Sequence, residues 1–90
     1  MRIYRIKDGQ MDAFVAIFPE VVAARRTAGM DVESAWIDEA NNRFVWVVSG
    51  PDDFDAAVER YLRSPERRSI RPEPADLIDE MDTPMVRRVL

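Results

Sequence analysis

The side chains available for chemistry in this 90-residue chain are oxygen acids and arginines, because the sequence contains no histidine and no cysteine. A catalytic triad with a histidine base, a thiolate nucleophile, a disulfide and a Cys/His zinc site each need one of those two residues. Acid–base work is left to tyrosine, aspartate and glutamate, with arginine as an electrostatic stabiliser. The sequence therefore excludes much of ordinary enzyme chemistry, and it predicts no cofactor and no metal site.

A set of aromatic residues and arginines is the first candidate for a binding pocket. Aromatic walls bind planar apolar ligands, and an arginine orients a carboxylate or a carbonyl group. The competing interpretation is core and interface packing, with a surface ion pair between Asp38 and Arg43. The candidate residues are Arg2, Tyr4, Trp36, Arg43 and Trp46.

Arg25 is a second candidate, because it falls near the middle of the apolar face of a predicted helix over residues 10–28. A charge in that position is costly unless it is paired. Arg25 would then hold an anionic ligand in the cleft between helix and sheet. The alternative is that Pro19 shifts the phase of the helix, or that Arg25 neutralises the carboxyl end of the helix and snorkels outward.

Acidic residues outnumber basic ones by 17 to 13, and the net charge of −4 is the wrong sign for a phosphate-binding surface. We therefore expect no nucleic-acid partner. Asp76, Glu80 and Asp82 share one face of a predicted last strand, but a single strand spreads them over roughly 20 Å. A solvated edge, or pairing with arginines, explains them better than a cation site.

The apolar periodicity changes along the chain in a way that predicts one α+β domain over residues 1–90. The predicted first helix gathers its apolar residues on one face and ends at Gly29; these residues are Met11, Phe14, Val15, Ile17, Phe18, Val21 and Val22. The element order is βαββαβ, which predicts a ferredoxin-like four-stranded antiparallel sheet with two helices on one face. The predicted elements are a strand at 2–7, a helix at 10–28, a hairpin of Asp31–Asp38 and Arg43–Ser49, a helix at 53–63 and a strand at 77–82.

The predicted hairpin is apolar on both faces. Symmetry about the loop at residues 39–42 pairs Trp36 with Val45 on one face and Ala35 with Trp46 on the other, so the two tryptophans lie on opposite faces. Two helices can cover only one side of a sheet. We therefore expect a homodimer that covers the other side, with an interface formed by Trp36, Arg43, Val45 and Val47.

Several short segments together resemble the NIPSNAP family: RIYRIKDG at 2–9, AWIDE at 35–39, NRFVW at 42–46, SPE at 64–66 and RPE at 71–73. The resemblance implies a dimeric α/β barrel, in which two ferredoxin-like sheets pack face to face. The sequence departs from the family pattern at Asp8, where a proline is common, and at Thr83-Pro84, which interrupts the end of the last strand. The resemblance brings no set of catalytic residues with it.

Three functions follow as hypotheses. The first is a NIPSNAP-like homodimer that binds a small, partly apolar molecule between sheet and helices. The second is a cofactor-independent monooxygenase or isomerase of the dimeric α/β barrel class, and the third is a non-catalytic protein-interaction module. The sequence shows no secretory signal and no run of 18 apolar residues, so we expect a cytoplasmic location and no membrane partner.

Overall fold

The secondary structure follows the predicted order, with short helical turns added in the loops. A computed structural model describes all 90 residues, from Met1 to Leu90. Single turns of 3-10 helix lie at Glu39–Asn41 and Pro74–Leu77. The main elements are β1 (Arg2–Ile6), α1 (Met11–Thr27), β2 (Asp31–Asp38), β3 (Arg43–Ser49), α2 (Phe54–Arg63), α3 (Pro65–Arg68) and β4 (Ile78–Asp82).

The four strands form one antiparallel sheet in the order β2-β3-β1-β4. Both α1 and α2 bury their apolar residues against the same face of the sheet. This is the ferredoxin-like arrangement, and the predicted fold class is confirmed. The hairpin register is also confirmed, because Trp36 pairs with Val45 and Ala35 pairs with Trp46. None of the helices has the length and hydrophobicity needed to cross a bilayer.

Local signals fix the ends of the helices. The amino end of α2 is capped by the Asp53 carboxylate, which accepts a hydrogen bond from the Ala56 amide at 3.3 Å. Helix α1 ends at Thr27, and Gly29 two residues later reverses the chain with a φ of 94°, in the left-handed region that favours glycine. The reversal lets the Met30 amide donate to the Arg25 carbonyl at 3.0 Å. Met30 is therefore folded back beneath the last turn of α1.

The core fills the layer between the helices and the sheet. Its buried apolar residues come from every main element except β2, α3 and β4, and the segments between the elements supply four more: Ala28, Met30, Ile70 and Leu77. The core residues in the strands and helices are Tyr4, Ile6, Phe14, Ile17, Val21, Ala24, Phe44, Trp46, Ala57 and Tyr61.

Two details of the prediction are wrong. Val15 was expected on the apolar face of α1 but is 40% exposed, because the buried stripe is centred further round the helix and takes in Ala24 and Arg25. The last strand begins at Ile78, so Asp76 lies in the preceding 3-10 turn. Only Glu80 and Asp82 share a face of β4, and the predicted row of three carboxylates does not form.

Candidate functional site

Arg25 points into the molecule from the last turn of α1, and its residue is only 3% exposed. Its guanidinium carbon lies 3.9 Å from the centre of the Tyr61 ring and 5.1 Å from the centre of the Trp46 ring. A terminal nitrogen of Arg25 also contacts the Met30 sulfur at 3.6 Å. The expectation that Arg25 snorkels outward is therefore wrong. The reason is tertiary: α2 and the Gly29 turn close over the side chain from both sides.

The charge on Arg25 has no acidic partner. None of the ion pairs in the structure includes it. Its Nε is buried without a hydrogen-bond acceptor, and so is the indole Nε1 of Trp46, a residue that is fully buried. Burial is the main cause that lowers the pKa of Arg25, and the nearby Arg2 charge lowers it further. Arg25 Nε and Trp46 Nε1 are thus two buried donors without an acceptor, beside a buried positive charge that has no acidic partner.

Arg2 lies on the same face of the sheet, one strand away from Trp46. Its Nε donates to the Tyr4 hydroxyl at 2.5 Å, and its guanidinium carbon lies 5.4 Å and 5.7 Å from the Tyr4 and Trp46 ring centres. Tyr4 and Trp46 meet edge to face at 5.9 Å. We call Arg2, Tyr4, Arg25, Trp46 and Tyr61 the inner cluster.

Arg67 borders the inner cluster and, unlike Arg25, has an acidic partner. Arg67 donates two hydrogen bonds to the Glu73 carboxylate, at 2.6 Å and 3.0 Å, while its guanidinium carbon lies 5.9 Å from the Tyr61 ring centre. The bonds from Arg67 lower the pKa of Glu73. Burial raises the pKa of Tyr61, so its phenol stays protonated at neutral pH and is available as a donor.

The inner cluster lies beside a layer of aromatic rings beneath α1. Phe18 packs edge to face on Trp46 at 5.3 Å, and Phe14 packs in the same way on Tyr4 at 5.9 Å and on Phe44 at 4.9 Å. Such walls supply apolar contact and little hydrogen bonding. The charged and polar atoms of the inner cluster therefore stand out as the only strongly polar part of this layer.

An open cleft of about 1020 Å³ lies at one end of the sheet. Arg2 lies on its wall, together with Phe54 and Val58 of α2 and the carboxy-terminal residues 83–88. The cleft extends round the sheet to Trp36 and Val47 on the other side. Arg2 is the one member of the inner cluster that lines the cleft.

The structure brings together four of the predicted ligand-binding residues and separates the fifth. Arg2, Tyr4, Arg25 and Trp46 meet on the helix-covered face. Trp36 pairs with Val45 on the opposite face and is 54% exposed, which agrees with the prediction that the two tryptophans lie on opposite sides. Arg43, also considered for the pocket, lies on the Trp36 side.

The face of the sheet turned away from the helices, here the open face, carries two rows of side chains that run across the strands. One row reads Asp38, Arg43, Arg5 and Glu80, and its outer members pair with the arginines at 2.6 Å and 3.8 Å. The hydrogen bond from Asn41, followed by that from Arg43, lowers the pKa of Asp38. The predicted interface residue Arg43 is thus half of an ion pair within the chain.

The second row of the open face is mostly apolar. It runs from Trp36 through Val45 to Ile3, and Val47 extends it along β3. The predicted interface residues Trp36, Val45 and Val47 therefore form one patch, with Arg43 at its border. No helix covers this patch in the protomer, because both long helices pack on the other face.

Tyr61 could be predicted only as one possible acid or base among the tyrosines and carboxylates, and Met30 had no predicted role. Nothing in the sequence near Tyr61 indicates that a cation lies beside it. Met30 follows the helix stop at Gly29, which was a usable signal, because a residue after such a stop folds back on the last turn. Arg67 and Glu73, six residues apart in the chain, form an ion pair at 2.6 Å.

The sheet order, the helices on one face and the buried polar cluster define a ferredoxin-like α+β protein. Two crystal structures share this fold. An uncharacterized NIPSNAP domain protein from Burkholderia xenovorans superposes with a TM-score of 0.68 at 20% sequence identity, over 90% of this chain and 83% of that one. A protein from Agrobacterium tumefaciens gives a TM-score of 0.71 at 22% identity, over the same shares of the two chains.

No protein-family model and no curated protein matches the chain. The two structures therefore carry the comparison, and at these identities they establish the fold. The predicted NIPSNAP-type fold is confirmed on that basis.

Proposed function

We propose that this chain is a NIPSNAP-like protein that forms a homodimer through its open face and binds one small, partly apolar molecule per protomer between sheet and helices. The observation that carries the binding proposal is Arg25, a fully buried guanidinium with aromatic neighbours and no carboxylate. A buried charge left uncompensated is destabilising by several kcal/mol, so a protein that keeps one usually has a use for it.

The dimer proposal is supported by the apolar patch on the open face. A tryptophan side chain has a surface of at most about 250 Å². With 54% of Trp36 exposed, covering it removes about 130 Å² from water and contributes about 3 kcal/mol per copy before association costs. The neighbouring row of Asp38, Arg43, Arg5 and Glu80 has no net charge, so a second copy meets no repulsion there.

Both parts of the proposal are tested on protein purified without denaturant. Light scattering at tens of micromolar should give about twice the chain mass of 10.4 kDa. Native mass spectrometry of the same sample should show an added mass on each protomer. Solvent extraction should then release a small molecule in a ratio approaching one per protomer. A persistent monomer refutes the dimer, and chains that carry no added mass from any expression host or cell extract refute the binding role.

An enzyme is the second candidate, and one observation favours it. Two buried tyrosines belong to the inner cluster: the ring centre of Tyr61 lies 3.9 Å from the Arg25 guanidinium carbon, and Tyr4 packs on Trp46. In the absence of histidine they are the buried acids of the cluster. The raised pKa of Tyr61 suits a proton donor and not a general base at neutral pH. A cofactor-independent isomerase or monooxygenase would therefore have to use substrates that acquire negative charge during the reaction. A protein-interaction module remains the third candidate if the open face does not self-associate.

A further inference from the structure

We propose that the inner cluster is a carboxylate site: the bound molecule places one carboxylate group against Nε of Arg25 and Nε1 of Trp46. This inference rests on the proposed binding function and narrows it to an acidic ligand with an apolar body.

Two hydrogen-bond donors of the inner cluster have no partner in the protein. Arg25 Nε and Trp46 Nε1 are both buried and both without an acceptor, and the Arg25 guanidinium lies 5.1 Å from the Trp46 ring. Buried donors without partners are rare in folded proteins, because each loses its bonds to water and gains nothing in return. A group that satisfies both must be an acceptor, and a carboxylate has two oxygens, one for each donor.

The second step concerns charge. Three guanidinium groups, those of Arg2, Arg25 and Arg67, adjoin the rings of Trp46 and Tyr61, and Glu73 is the one carboxylate among them. Arg67 already holds Glu73, and Arg2 donates to the Tyr4 hydroxyl. Arg25 is left with a full positive charge in an apolar layer, where a single negative charge is strongly favoured.

The third step separates a carboxylate from a phosphate. Phosphate carries more negative charge and three oxygens that need donors, and phosphate sites usually supply several backbone amides or a helix amino end. Arg25 lies in the last turn of α1, where no free backbone amides of a helix amino end are available to a phosphate. Two side-chain donors and aromatic walls therefore match a monocarboxylate. Arg2 both lines the cleft and lies 5.7 Å from the centre of the Trp46 ring, so we expect an acid to approach the site past Arg2.

The test uses benzoate and its neutral analogue benzamide as probes, and the two indole N–H signals of the protein as reporters. The chain has two tryptophans, so an amide-proton NMR spectrum shows one indole signal from the buried Trp46 and one from the exposed Trp36. Benzoate should shift the Trp46 signal in a saturable way and leave the Trp36 signal in place. We expect benzoate to bind at least tenfold more tightly than benzamide.

The variants assign this preference to Arg25. Arg25→Met should abolish the difference between benzoate and benzamide. Arg26→Met is the matched control, because Arg26 is adjacent, exposed and paired with Asp31, and it should keep the full preference. Should the Met variant fail to fold, Arg25→Gln, which keeps a polar side chain without the charge, must also lose the preference.

Equal affinity for the two probes, a preference that survives both Arg25 variants, or a Trp46 signal that benzoate does not move would each overturn the carboxylate site. If an ordered water satisfied the two donors instead, benzoate and benzamide would bind equally well, or benzoate would leave the Trp46 signal in place. The proposed function fails separately, when native mass spectrometry finds no retained molecule. A neutral molecule retained by a protein that ignores benzoate would therefore refute the carboxylate site and leave the binding function standing.

Discussion

Replacing Arg25 by methionine should make the ligand-free protein more stable. The change removes a buried charge that no acidic group compensates, and it keeps an unbranched apolar side chain that can fill most of the space. If Arg25 served only to pack α1 against α2, the substitution would instead destabilise the protein, because it would loosen the contact between the two helices.

The size of the effect follows from three contributions. Burying an unpaired charge costs several kcal/mol after relaxation. The contacts with the Tyr61 and Trp46 rings, at 3.9 Å and 5.1 Å, each return about 0.5 to 2 kcal/mol. A net gain of about 1 to 3 kcal/mol in the free energy of unfolding remains for Arg25→Met. For a domain of this length, 1 kcal/mol corresponds to a shift of about 4 to 8 °C in Tm.

The measurement is urea unfolding followed by far-UV circular dichroism, with all proteins at one concentration so that dimer formation contributes equally. Arg26→Met is again the control and should stay within about 0.5 kcal/mol of the wild type, since its side chain is exposed. A loss of more than 1 kcal/mol in Arg25→Met would refute the reasoning, because Arg25 would then be a structural residue.

Added ligand should stabilise the wild type more than Arg25→Met. A ligand at 100 times its Kd stabilises the protein that binds it by about 2.7 kcal/mol. Wild-type protein should therefore gain about that much from benzoate, while Arg25→Met, which binds benzoate at least tenfold more weakly, should gain about 1.4 kcal/mol or less at the same concentration. Equal gains in the two proteins would show that Arg25 only fills space.

Three further predictions concern other parts of the molecule. Trp36→Glu should halve the mass seen by light scattering, whereas Trp36→Phe should keep the dimer; an unchanged mass in the glutamate variant would show that the open face is not the interface. The pKa of Glu73 is lowered in the fold, so its pair with Arg67 stabilises the protein above the ordinary carboxyl pKa and is lost as pH falls through the lowered value. Glu73→Gln should accordingly lose less stability than the wild type on acidification, and parallel pH profiles would contradict this. Gly29→Ala should destabilise the protein by about 1 to 2 kcal/mol through its left-handed φ alone, since a Cβ there would meet no atom closer than 3.6 Å; no change in urea unfolding would show that the turn relaxes.

The fold was predictable from the sequence because its signals are local. The polar loop at residues 39–42 fixes the hairpin register, and strict alternation then places Trp36 and Trp46 on opposite faces. The stop of α1 at Gly29 is equally local.

The candidate site was predictable only in part, because its decisive feature is tertiary. Periodicity placed Arg25 on the apolar face of α1, but the choice between pointing inward and snorkelling depends on Tyr61, which α2 brings over the guanidinium. Glu73 pairs with Arg67, and Arg25 is therefore left without an acidic partner. The spacing of Arg67 and Glu73 in the sequence does not indicate this outcome. Which charge stays uncompensated is a property of the whole arrangement.

The ionic row on the open face has a consequence for how association responds to salt. Each arginine in that row already has its acid within the same chain, so none of these charges is free to attract a second copy. Association driven by the Trp36 patch would then change little with ionic strength, in contrast to partners that meet through opposite charges. The row would instead act as a polar border that keeps the two tryptophan patches aligned, since sliding one copy along the other would press paired ions against apolar side chains.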